Sequence, residues 1–230
     1  MTENTNNIFS ESENSRSKIL MPSQDFPPAR ETQDANFDTF VAFDIITTGL
    51  NPHFESIIEI AAVKVVDGII PESSDSVFSE IVKPLNNKPV NDRILHISGI
   101  TENDIMYARD IREVFTDFMS FVGDNVLVAY NCMSFCCAFL VRAGRYSNYP
   151  VMNLYFDVSH YAKRFYKKLG ITGNRVKLSE VAAKLNIETP RKNKALADAV
   201  TTAKVYLELN RTDTGRNMSF EDLLTVFDSK

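Results

Sequence analysis

No run of the sequence is apolar for long enough to cross a membrane. The most hydrophobic stretches, "VLVAYN" and "IIEIAAVKVV", are strand-length, far short of the roughly 18 residues a spanning helix needs. The opening residues, "MTENTNNIFSESENSRSKILMPSQ", lack the basic start and apolar stretch of a secretory signal, so the cytoplasm is the expected compartment. Cysteine is scarce: Cys132, Cys136 and Cys137 are odd in number and crowded into one apolar segment, which argues against a disulfide framework. With no histidine near them they do not read as a zinc site, and buried, reduced thiols are expected. Acid is missing from one long stretch, because no Asp or Glu occurs between Asn125 and Phe156.

What remains is enough for a proper core. The chain has 230 residues, 44% of them hydrophobic, which suits one domain plus extra segments. Residues 1–36 are polar and without apolar periodicity, so they are read as a disordered tail. Strands are expected at Thr39–Ile46, Ile57–Val66 and Val77–Val82, with Asp67-Gly68 as a hairpin turn between the last two. Helical spacing follows: Thr101 as an N-cap, "IREVFTDFMSFVG" ending at Gly123, a buried strand "NVLVAYN", and then "SFCCAFLVRAG" ending at Gly144. "FDVSHYAKRFYKKLG" ending at Gly170, "KLSEVAAKLNI" and "KALADAVTTAKVYLELN" complete the pattern. The expected fold is α/β, a mixed sheet flanked by helices over residues 37–210. Residues 211–230 form a C-terminal extension with a candidate short helix in "SFEDLLTVF", capped by Ser219 with Asp222 three residues on.

The net charge of −5 is unevenly spread. Between His160 and Lys204 there are eleven Lys or Arg against three acids, which makes either solvated helix faces or a surface for phosphates.

Alternation along the first strand puts Asp44 and Ile46 on one face. Taken in order, "FVAFDIITTGLNP", "IIEIAAVKVVDG", "ISGITENDI", "VLVAYN", "FCCAFL", "KLSEVAAKLNI" and "KALADAVTTAKVYLEL" resemble the DnaQ-like 3′–5′ exonucleases, a family that includes the proofreading epsilon subunit of DNA polymerase III. The resemblance implies an RNase H-like fold, and a site in which four acids hold two Mg²⁺ or Mn²⁺ ions beside a general-base histidine. It also implies where this chain departs from the pattern. Asp44 matches the first acid of D-x-E-T-T-G, but the Glu has become Ile46. The second motif appears as "YNCMSFCC", one residue too long: the place of the acid is taken by Cys136 when the motif's Phe is matched to Phe135, and by Phe135 itself when no gap is allowed. In the third motif Asp198 is kept, while Asn193 stands for the histidine and Lys194 for the tyrosine of the family's other branch.

Asp44 and Asp198 are therefore the expected metal ligands, for a single weakly held Mg²⁺ or Mn²⁺ at most, and three of five catalytic positions (Ile46, Cys136, Asn193) are substituted. Residues that would touch nucleic acid without doing chemistry remain: Thr47, Thr48, Gly49 and Leu50, matching the turn that cradles a 3′-terminal nucleotide, with Asn131 and Phe135. The function expected is that of a pseudo-exonuclease, dead or strongly impaired, that binds single-stranded DNA or RNA ends or a replication or repair partner. The alternative is an active exonuclease with an unusual metal site. Glu59 and Asp157 are read as structural acids, in hydrogen bonds or ion pairs, and His96 as an ordinary helix or loop residue.

Overall fold

The computed structural model of the protein describes residues 30–32, 37–173, 176–189 and 194–212. Six strands make one sheet: β1 (Arg30–Glu31), β2 (Phe40–Thr47), β3 (Ile57–Val65), β4 (Val77–Ile81), β5 (Leu127–Ala129) and β6 (Leu154–Asp157). Their order across the sheet is β1-β6-β5-β2-β3-β4. The strands β2, β3 and β4 form an antiparallel meander, while β5 runs parallel to β2, and β6 and β1 extend that parallel half. The helices are α1 (Asp92–Ser98), α2 (Glu102–Tyr107), α3 (Ile111–Val122), α4 (Cys137–Ser147), α5 (Val158–Lys163), α6 (Tyr166–Leu169), α7 (Leu178–Lys184) and α8 (Lys194–Arg211). None among the described residues is long and apolar enough to cross a membrane.

The central strand β2 is buried on both faces, which is why it reads as an almost unbroken apolar run. Val41, Phe43 and Ile45 pack with Phe115 and Phe118 of α3 and Phe139 and Leu140 of α4. Phe40 and Ala42 point the other way, into a core with Val205, Tyr206 and Leu209 of α8. Period-two alternation therefore turns Asp44 and Ile46 toward α8. That helix approaches closely because Ala195, Ala199 and Ala203, spaced by four, present small side chains on one buried stripe. At its far end Tyr206 holds the start of the domain: its hydroxyl donates to the Phe37 carbonyl at 2.7 Å, and its ring stacks on Phe37.

The structure differs from the sequence reading at several points. Arg30 and Glu31, inside the expected polar tail, pair with Leu154 and Tyr155, so sheet structure starts before Phe37. The Asp67-Gly68 turn forms, with both residues at positive φ, but it closes only the Val66–Ile69 bridge; the chain then passes through a 3₁₀ turn before entering β4. Helix α4 continues through Gly144 and ends at Asn148 in the left-handed region. Gly144 is there for a close approach, since a Cβ would lie 2.5 Å from the Tyr149 carbonyl oxygen. The helix expected up to Gly170 breaks into α5 and α6. The candidate helix after Ser219 and most of the tail lie outside the described residues.

Candidate functional site

Asp44 sits near the end of β2 facing α8, partly accessible at its edge. Burial pushes its carboxyl up to about 8, and the charge of Asp198 adds to the rise; a hydrogen bond from the Ile45 backbone and the charge of Lys194 oppose it. Asp198, in the second turn of α8, is also raised by burial and lowered by Lys194, whose ammonium stands 4.0 Å away. The two acids named from the sequence thus lie on facing elements and interact. Asn193 lies outside the described residues.

Two of the substituted positions, Ile46 and Cys136, lie beside Asp44. Ile46, two residues on, is half-buried on the same face. Cys136 closes a π-turn over Cys132–Cys136, in which the Cys137 N–H bonds to the Cys132 carbonyl five residues back. Its thiol is buried and pushed well above the usual range by burial first and by the charge of Asp44 second, so it is a neutral neighbour of that acid.

Glu59 is the residue that sequence reasoning undervalued. It pairs across the β2–β3 hairpin with Ile46, so its side chain shares the face of Asp44. It is 5% exposed and lines a cavity of about 890 Å³ together with Asp198, Lys194 and His96. Burial raises it to about 7, against the pull of Lys194. Its carboxyl makes no hydrogen bond among the described residues, and of the two structural roles expected of it the one left is a charge interaction, with Lys194. Asp157 does take the hydrogen-bonding role: its carboxylate accepts from the backbone N–H of Ser159 and of Asn131.

The turn after β2 is tightly braced. The Thr47 hydroxyl donates to the Gly49 carbonyl at 2.7 Å and that of Thr48 to Glu55 at 2.5 Å. Lys88 meets Glu55 at 3.0 Å. These partners hold the Glu55 carboxylate below its usual range, Thr48 first. From α4, Arg142 donates to the Pro52 and Glu55 carbonyls. Around this rigid backbone Leu50 and Phe54 are left 84% and 73% exposed. Asn131 is exposed at positive φ, whereas Phe135 is half-buried, packed against Phe139 and the core.

A family model described as an exonuclease, of the RNase T type, matches residues 41–206. The chain belongs to that exonuclease family. Among curated relatives it is 35% identical over 192 residues to a PolC-type DNA polymerase III of Clostridium perfringens and 34% identical over 181 residues to that of Thermotoga petrophila. The matches take in 82% and 76% of this chain but 12% of each relative, so the chain spans about an eighth of the length of the curated relatives it matches. Among solved structures, an exonuclease I matches with a TM-score of 0.67 at 18% identity, over 84% of this chain and 44% of that one. Cell-death related nuclease 4 matches with a TM-score of 0.65 at 15% identity, over 78% and 66%. The mixed sheet flanked by helices is the RNase H-like exonuclease fold.

The wide turn lies within "YNCMSFCC", the segment read from the sequence as one residue longer than the second motif it resembles. Cys136 stands beside Asp44, while α4 keeps Phe139, Leu140 and Ala143 on the core. The donor set does not suit the family's pair of metal ions. Among the described residues no three His, Cys, Asp or Glu side chains gather as a metal cluster. Asp44 has an alkyl and a thiol for neighbours where carboxylates would be needed, and hard, octahedral Mg²⁺ accepts neither.

Proposed function

We propose that this exonuclease-family chain is a pseudo-exonuclease, a domain that binds single-stranded DNA or RNA ends, in a replication or repair setting, with its hydrolytic activity lost or strongly impaired. The observation that carries the reading is the surroundings of Asp44. Two-metal hydrolysis uses one ion to activate water and a second to stabilise the leaving oxygen about 3.5–4 Å away. Offsetting two dications takes more negative charge than Asp44 and Asp198 supply, and burial favours the protonated form of both. With Asn193 in the histidine position the general base is absent as well, a loss of about 10²–10⁴ in rate.

Strand binding is supported by the braced Thr47–Leu50 turn, with Leu50 exposed at its end and the exposed ring of Phe54 just beyond, an aromatic of the kind on which the bases of single strands stack. Escherichia coli exonuclease I, a neighbour in fold, has been solved in complex with a dT13 oligonucleotide, and the PolC-type relatives support the replication setting.

The competing reading is an active 3′–5′ exonuclease, which Glu59 favours because it brings a third carboxylate beside Ile46. Digestion of a 3′-labelled single strand in Mn²⁺, compared with the Asp44→Ala/Asp198→Ala double variant, decides between them. Equal loss of label in both proteins is expected. Label release that disappears in the double variant refutes the pseudoenzyme and assigns the chemistry to these acids.

A further inference from the structure

Glu59 and Asp198 line the cavity together with Lys194, and Asp44 lies within electrostatic reach of all three. Lys194 opens α8, lies 4.0 Å from Asp198 one turn further on, and lines the same cavity as Glu59. Glu59 supplies the second, independent observation: its side chain is 5% exposed, borders the cavity, and has no hydrogen-bond partner among the described residues. A carboxyl in that condition is met by cavity water, by a proton or by a nearby positive charge, and Lys194 brings such a charge to the same cavity. Electrostatics run the same way, because Lys194 lowers all three carboxyls against the effect of burial.

We propose that Lys194 is the resident counter-cation of this cleft, standing where the fold would otherwise need metal charge and offering the phosphate of a strand end a contact independent of metal. The second half of the proposal rests on the strand-binding reading above; the first half does not. An ammonium suits the altered donor set better than Mg²⁺ does. It presents three donors on a flexible stem and needs no octahedral shell. Its side chain is 51% exposed, so it stands beside the Asp198 carboxylate and stays open to a phosphate arriving from solvent. The plain alternative is an i,i+4 surface ion pair of little consequence.

Two measurements on the full chain separate these. In thermal melts, the wild-type protein is expected to show the same Tm in EDTA and in Mn²⁺. Lys194→Met is expected to gain a Mn²⁺-dependent rise in Tm that adding Asp198→Asn removes, and Lys194→Arg to behave as wild type. A wild-type Tm that Mn²⁺ raises as much as it raises that of Lys194→Met overturns the counter-cation, as does a Lys194→Met protein blind to Mn²⁺.

In fluorescence anisotropy with a 5′-labelled oligo-dT, wild-type binding is expected to be equal in EDTA and Mn²⁺. It should weaken about tenfold in Lys194→Met, with a salt slope smaller by about one. Unchanged binding by Lys194→Met in EDTA, or wild-type binding that needs Mn²⁺, overturns the phosphate contact while leaving strand binding intact. No wild-type binding under either condition instead refutes the strand-binding reading and with it the phosphate contact, and the melts still decide whether Lys194 is the counter-cation.

Discussion

Replacing Glu59 by Gln removes a titrating group while keeping its shape, and the structure sets the size of the effect. In the folded chain the Glu59 carboxyl is raised from its ordinary value of 4.5 to about 7 by burial. The folded state therefore holds this proton more tightly than the unfolded chain. The resulting stability is complete below about pH 4.5, is lost as pH rises toward 7, and stays lost above it. At about 1.36 kcal/mol per unit, the full loss is about 3 kcal/mol, a ceiling because the carboxyl borders a cavity open to water. For a domain of this size that is about 6–12 °C in Tm. Melting curves of wild type and Glu59→Gln, recorded in EDTA from pH 5 to pH 9, should nearly coincide at the acid end. They should separate as pH rises, with the variant the more stable at pH 9. Asp44, raised to about 8 with the Glu59 charge as one of the causes, titrates in both proteins, so the difference between the curves reports Glu59 together with its coupling to Asp44. Curves that run parallel across the whole range would refute the burial of this carboxyl and the β2–β3 register that produces it.

Two further substitutions test the supports of the cleft. Gly144→Ala places a methyl 2.5 Å from the Tyr149 carbonyl oxygen, a backbone atom that cannot swing aside, and should cost about 1–3 kcal/mol, read as a lower urea midpoint at unchanged m-value. Arg142→Ala leaves the Pro52 and Glu55 carbonyls without their donor. A loss of about 1–3 kcal/mol is expected, together with faster proteolytic nicking between Leu50 and Glu55; a digestion pattern identical to wild type would show that the turn does not depend on that arginine.

Much of the architecture was legible because local signals agreed with tertiary demands. The run from Phe40 to Thr47 is apolar because both faces are covered, and Asp110 and Gly123 bound α3 as N-cap and C-cap residues. Thr101 and Asp104 form a reciprocal capping box at the start of α2. The misreadings have physical reasons. Two residues at a parallel edge, Arg30 and Glu31, are too few to carry a period. Gly144 carries the stop signal of a helix end, but its conformation is helical and close packing explains it. Asp44, Ile46, Cys136 and Asp198 were found through the family pattern, whereas Glu59 depends on register. The β2–β3 pairing shifts between Ile46 and Thr47, and alternation within one strand does not reveal which residue of its neighbour stands opposite.

The π-turn bears on how loop length and helix packing are kept apart. An extra residue within a regular helix rotates everything beyond it by about 100°, which would carry Phe139, Leu140 and Ala143 off the core. The wide turn over Cys132–Cys136 stands ahead of α4, so the register of those three side chains is set by the helix itself and not by the length of the segment that leads into it.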